Sequence, residues 1–482
     1  MMKKVIILLL CVCFFLSGCS TQKSDNPDFG GEISLFAYSP DTLNPLKTEY
    51  QTNASLLTSL IYETLITVNQ DLSLSPCLAE SWSFSQDMSV CTLKLKEDAL
   101  FSDGTPVTAE HVKLSLQEAV ANSGNLYNDV SQYVESCTAN GNTLTLNLKK
   151  TGTGVLSCLD FPIIKSNDQL LGSGLYKISS NDKSSLILNA ISNTRTNIEK
   201  ITVRFYPKEE MKANSFISAE TDVFNADMTT LSKLTSKTNV AATNFVTDTF
   251  LYLGFNNNST ILSDYKARYG IAHLIDKDKL LEEVFVNYCV KTNSPFKPSS
   301  IYSNLYDGDF NYDKELAKKY LDESETEDYT FNILVNSESD TKKKIAQHIA
   351  KALNENNMNV SVTELPFDDY IKAIEEENYT MYVGEINIPE SQDLSFLLKS
   401  SYNNLIYSSS YMDSLLDGFS NTVDSKQKMV YAQEIQKLLL KDMPIISLCY
   451  KTNILMTSNK IHGEFSPKAT NLYHGINSWI IK

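Results

Sequence analysis

Two runs of strict apolar and polar alternation, with a turn and a helix start between them, leave the first third of this chain little freedom in how it folds. In VCTLKL (90–95) Cys91, Leu93 and Leu95 oppose Val90, Thr92 and Lys94, and in NTLTLNL Leu144, Leu146 and Leu148 repeat the pattern. A period of two puts one set on each face of a strand, so both runs predict half-buried antiparallel strands. Between them Asp103-Gly104 is a turn pair, Pro106 fixes the exit, and Thr108 is an N-cap with Glu110 in the first helical turn, where an anion meets the positive helix end. Val107 and Val112 occupy the positions of a hydrophobic staple, and Val112, Leu116, Ala119 and Val120 extend an apolar stripe. The segment reads as scaffolding.

The rest of the body alternates strands and helices. GGEISLFAYSPDTLNPL opens with a strand whose Ile33, Leu35 and Ala37 share a face, and Leu56, Leu60 and Ile61 in the next segment are spaced for a helix. GSGLYKI and EKITVRFY are strands, and DTFLYLGFNNN is an apolar strand running into a polar loop. Beyond Asn258, helical stretches such as YDKELAKKYLDES and TKKKIAQHIAKALNENN lead into further strands, which predicts an α/β second half with a largely parallel sheet. At 482 residues the chain is too long for one core, and at about 150 residues per domain it should divide into roughly three units.

The first residues differ from all of this. MMKKVIILLLCVCFFLSGC runs from two lysines through an apolar stretch too short to cross a bilayer, as a secretory signal does. Leu16-Ser17-Gly18-Cys19 resembles the bacterial lipobox, which implies a diacylglyceryl group on Cys19 and cleavage behind Gly18. Two acyl chains, at about 0.8 kcal/mol per buried CH2, hold a protein stably where one does not. The polar residues 20–28 then read as a leash, and the body is expected outside the cytoplasm, tethered to the outer face of the cell membrane or on the periplasmic side.

The formal charge is −16, and −18 once the leader with Lys3 and Lys4 is removed, which excludes nucleic acid as a partner and suits a soluble monomer. Six cysteines remain beyond Cys19, widely scattered and without a CxxC pair; they are either staples or free buried thiols, and no pairing follows. There is no HExxH, GxSxG or GxxxxGK, and Gly172-Ser173-Gly174 lacks the third glycine of a dinucleotide fingerprint, so no catalytic residues, cofactor or metal are expected. The five histidines lie apart from one another in the sequence.

PDTLNPL, IYETLITV, the block from Ser75 to Leu116, GSGLYKI, YLGFNNN, YDKELAKKYL and DMPIISLCY, in this order, resemble the bacterial extracellular solute-binding proteins of family 5, the oligopeptide, dipeptide and nickel receptors of ABC importers. The resemblance implies an α/β, two-lobed periplasmic-binding-protein fold of the type II class with an extra subdomain, closing over a ligand. After a signal peptide at 1–18 and a linker at 19–30, it assigns 31–53, 170–250 and 442–482 to the first lobe, 54–169 to the subdomain and 251–441 to the second lobe. It implies a peptide ligand, most simply an oligopeptide, and ABC permease subunits as partners. A nickel chelate or other small solute, or a sensory lipoprotein without transport, are the alternatives.

Peptide receptors of this family hold the ligand's α-ammonium on an acid in a motif like Ala-Asp-Tyr-x-x-Pro. The matching text VGEINIPESQD places Glu385 at that acid, with Ile386 in place of the aromatic, Asn387 beside it and Asp393 as a second acid. Glu385 is expected either to face the ammonium or to salt-bridge a neighbour within the protein. Tyr38 and Ser39 stand where the first lobe of relatives lines the cleft, and Tyr402 and Tyr407 follow the second-lobe motif. The chain has only Arg195, Arg204 and Arg268, none near that motif, so a forked anchor for a ligand carboxylate is not expected.

Overall fold

The computed structural model describes residues 28–49, 51–167, 170–192, 195–231, 240–286, 288–306, 310–324, 329–402 and 406–482. The leader and Cys19 lie outside the described residues. Within the described residues no helix is long and apolar enough to cross a membrane.

The alternation at 90–95 and 143–148 builds the centre of a four-stranded antiparallel sheet, ordered Ala79–Phe84, Val90–Leu95, Thr143–Leu148, Val134–Asn140. Leu93 pairs with Leu144 and Cys91 with Leu146, and all four are fully buried on one face. The helix Ala109–Ala121 starts at Thr108 as expected, and the His111 ring accepts from the Thr108 N–H through Nδ1 at 3.1 Å. Val107, Val112, Leu116 and Ala119 are buried, but Val120 turns outward and ends the stripe one residue early.

This sheet shares a single core with a second one, in which Glu32–Tyr38 runs parallel to Lys200–Tyr206, followed by the hairpin Ser185–Ala190 and Tyr176–Asn181. Gly172 and Gly174 belong to this joint. A Cβ on either would fall within 2.7 Å of the Ile61 carbonyl oxygen, because the Gly174 N–H donates to that oxygen at 2.9 Å. The glycines therefore serve close backbone approach to the end of the helix Gln51–Ile61.

The other sheet has seven described strands, ordered Val223–Ala226, Ile445–Ser458, Val240–Phe255, Met381–Asn387, Thr330–Asn336, Asn359–Leu365, with Cys289–Lys291 beside Ile445–Ser458. Only the pairs made by Thr330–Asn336 are parallel; the remainder are antiparallel, which corrects the expectation of a largely parallel sheet. The reason lies in two long strands, Val240–Phe255 and Ile445–Ser458, which pair antiparallel from Val240 opposite Ser458 to Gly254 opposite Ile445. Their Phe245 and Leu455 belong to the first core, while Leu251, Leu253, Ile446 and Leu448 belong to a second core packed under the helices Tyr265–Leu274 and Asp340–Asn354. A third cluster around Phe250, Tyr450 and Phe419 covers the opposite face. The pair thus runs from one body into the other, and its register slips between Val246 and Phe250 at the passage. All six cysteines in the described residues are free thiols.

Candidate functional site

Where the two bodies meet they enclose a cavity of about 640 Å³. Its walls come from the end of the helix Gln51–Ile61, the turn at Ser157–Asp160 and the C-terminal segment on one side, and from Asp248 and residues 387–391 on the other. That volume falls inside the ordinary range for small-ligand sites, roughly 300–1,000 Å³.

The second-body wall is set by a hooked turn after the strand Met381–Asn387. The Ile388 N–H donates to Asp248 O at 2.9 Å, pinning the turn to the long strand at its register slip. Gln392 is fully buried in a left-handed conformation (φ 55°), and its amide joins Pro389 O to the Lys297 N–H. The hook carries Glu390 across to the C-terminal segment of the first body, where its carboxylate meets Lys468 Nζ at 3.1 Å and the Thr470 hydroxyl at 2.7 Å. Lys468 also donates to Val68 O at 2.8 Å, and both side chains of the pair are almost wholly enclosed. Such a pair persists only because each charge has several partners.

A second contact closes the rim. Lys150 of the first body bonds Asp393, whose other oxygen accepts from the Ser395 N–H. Burial acts to raise the Asp393 carboxyl, but these bonds outweigh it and hold it below its ordinary value. Next to it, Thr153 donates to Ser420 O at 3.1 Å and accepts from Lys428, whose ammonium rests 4.7 Å from the centre of the Phe419 ring. Burial pushes Lys428 down to about 8, with Asp393 opposing.

On the first-body wall, Asp160 follows a 3₁₀ turn at Thr153–Cys158 and is locked between Leu159 and Phe161, both fully buried. Burial, and then the charge of Glu390, push its carboxyl well above the ordinary range, with Lys468 opposing. Arg195 lines the cavity but is committed to Glu63 at 2.7 Å and to two backbone carbonyls. Asp248 is likewise paired with Lys297. His474 also stands in the wall, with Nδ1 3.0 Å from Ser466 O, and burial lowers its pKa. Among the described residues no group of three His, Cys, Asp or Glu side chains could hold a metal ion.

Of the residues expected from the sequence, only Asn387 lines this cavity, its Oδ1 accepting from Thr249. Glu385 lies outside the wall and is bonded to Lys451 Nζ at 2.7 Å, the salt bridge that was its other expected role. Asp393 works at the rim through Lys150. Tyr38 packs edge-on against Phe36 and Ser39 ends a strand by donating to Tyr206 O, both away from the cavity. Tyr402 is half exposed, and Tyr407 donates to Asp442. Glu390, Lys468 and Asp160 were not singled out. An acid directly after Pro389 and a lone acid inside the apolar run CLDFPII were their only sequence signs. Glu385→Gln is accordingly expected to change ligand affinity by no more than about twofold in isothermal titration, since its carboxylate is paired with Lys451 outside the cavity wall; a tenfold loss would return Glu385 to the site.

Residues 73–406 match the family model described as bacterial extracellular solute-binding proteins, family 5 Middle. The nickel-binding protein NikA of Staphylococcus aureus is 23% identical over 489 aligned residues, covering 92% of this chain and 93% of its own. The oligopeptide-binding protein AppA of Bacillus subtilis is 20% identical over 537, covering 98% of each. Among solved structures, the unliganded open form of the periplasmic murein tripeptide-binding protein MppA aligns with a TM-score of 0.81 at 19% identity, over 93% of this chain and 97% of that one. At that identity the last likeness is one of fold.

Proposed function

Because the chain belongs to family 5 of the bacterial extracellular solute-binding proteins, substrate receptors of ABC importers and not enzymes, we propose that it captures peptides, most simply oligopeptides, between its two bodies and delivers them to a membrane permease. The observation that carries this reading is the cavity itself. It is lined by both bodies, holds an acid, Asp160, to which no side chain among the described residues donates, and offers no uncommitted arginine. Such a lining suits a ligand with a cationic end that is otherwise held through its backbone. Asn387 supplies an amide to that backbone, and Asp393 shapes the closed rim. Ligand contacts available only when both bodies touch it favour the closed form, which the permease would read. The receptor acts as a monomer tethered through a lipid on Cys19, its body outside the cytoplasm.

A nickel chelate is the second reading, favoured by His474. Its Nδ1 is directed to Ser466 O, which is how a metal-binding histidine is commonly oriented, leaving Nε2 for a metal. Equilibrium binding of defined oligopeptides, with and without a nickel–histidine chelate as competitor, separates the two. Peptide binding that the chelate does not displace supports the first reading, and chelate binding abolished by His474→Ala supports the second.

A further inference from the structure

We propose that Cys289 and Cys449 form a redox site, a thiol pair that an external disulfide oxidises to a bond stapling the edge strand Cys289–Lys291 to the long strand Ile445–Ser458. In the antiparallel register Cys289 stands opposite Lys451, and Lys291 opposite Cys449. Positions 449 and 451 of one strand share a face, so the two sulfurs lie diagonally across the same face of the sheet. Both belong to the second core: Cys449 is fully buried within it, and the half-buried Cys289 packs against it. The Cys449 thiol donates to the Cys289 sulfur, which lowers the Cys289 pKa while burial acts to raise it; Cys449 is raised by that same bond and then by burial. The strand Cys289–Lys291 has three residues and pairs with one described strand, so it can take up the short inward shift that bond formation needs. By contrast, Cys91 and Cys137 flank Leu146 on either side of the strand Thr143–Leu148, and two strand spacings, about 10 Å, are too wide to bridge.

The inference rests on the body lying outside the cytoplasm, where disulfides form and persist. Oxidation proceeds by exchange. The half-exposed Cys289 gives up its proton to solvent, attacks one sulfur of a low-molecular-weight disulfide and expels the other as a thiolate, which takes up a proton. Cys449 then loses its proton to solvent and attacks the Cys289 sulfur of the mixed disulfide, expelling the second small thiol. Two protein thiols are oxidised and one small disulfide is reduced to two thiols. The new bond joins residues 160 positions apart and braces the stretch that leads to the cavity hook. In that stretch the Thr292 N–H donates to Leu448 O, the Tyr450 hydroxyl to Pro295 O and the Lys297 N–H to Gln392. Closing so long a loop should raise the melting temperature by roughly 10 °C. Neither sulfur lines the cavity, so the staple is separate from the ligand site.

The test incubates the purified chain with oxidised glutathione, alkylates the remaining thiols and maps the peptides by mass spectrometry, beside thermal melts with and without reductant. A cross-link between the Cys289 and Cys449 peptides is expected, with Cys77, Cys91, Cys137 and Cys158 alkylated. Reductant should then lower the melting temperature by roughly 10 °C in wild type and leave Cys289→Ser unmoved. Cys449→Ser should keep glutathione on Cys289 as the mixed disulfide that wild type resolves. Cys289→Ser alters only a half-buried position and should take up no glutathione at Cys449, which keeps the proposal testable if the buried Cys449→Ser fails to fold. Undiminished thiols in wild type, a stable glutathione adduct on wild-type Cys289, or a cross-link between other cysteines overturns the site. A cross-link that leaves the melting temperature unchanged overturns the staple. The assay contains no solute, so these outcomes stand whichever ligand the receptor carries.

Discussion

With alanine in place of Gly152, the two bodies should no longer meet at the rim, and ligand affinity should fall about 100-fold. Gly152 has φ 110°, a conformation that side chains rarely adopt. A Cβ there would stand 2.6 Å from Ser420 O and 3.1 Å from its carbonyl carbon, backbone atoms of the other body that cannot step aside. Overpacking of this kind costs about 3 kcal/mol, which is the factor quoted. The steric clash with Ser420 exists only when the cleft is shut, whereas the backbone strain at φ 110° acts open and shut alike, so the binding loss should exceed the loss of folding stability. Solution scattering checks this directly: wild type should contract on adding ligand and the variant should not. A variant that contracts and binds normally would show that the rim contact is dispensable.

Replacing Lys468 by methionine should have an effect of similar size through charge. Glu390 would keep only Thr470, with Asp160 facing it, so two acids would share an enclosed site without a cation. Removing one partner of an enclosed ion pair costs about 3–5 kcal/mol, because the other is left uncompensated. The expectation is at least a 100-fold loss of affinity at pH 8, partly regained at pH 5 as the raised Asp160 carboxyl takes up its proton. The direction follows from the raised Asp160 carboxyl, whose cost is present only where it is ionised. Adding Glu390→Gln to Lys468→Met should restore at least tenfold, a coupling that a double-mutant cycle measures. Equal and additive losses would mean that the pair does not act across the cleft.

Local patterns foretold local structure well. The strands Val90–Leu95 and Thr143–Leu148 and the helix after Thr108 were readable because side-chain period and capping are properties of a few consecutive residues. The direction of the large sheet was not. It depends on Val240–Phe255 pairing with a strand some two hundred residues later, and nothing in either segment encodes orientation. The site fared similarly. The family motif drew attention to Glu385, whose alternate position on a regular strand turns it toward Lys451. The acid that crosses the cleft is Glu390, carried there by a hook that depends on Gln392 in a left-handed conformation. Lys468 and Asp160 are 308 positions apart and meet only because the C-terminal segment returns to the first body. Asp160 did leave a trace, since a solitary acid in an apolar run is rarely buried without a use.

The most direct test of the central account is a competition in one vessel. The purified chain, unfolded and refolded to strip any resident ligand, is mixed with an equimolar pool of two- to ten-residue peptides and a nickel–histidine chelate, and its complexes are weighed by native mass spectrometry. The account predicts one-to-one adducts with peptides, undisplaced by the chelate. Adducts of nickel alone, or no peptide adduct at any length, would contradict it.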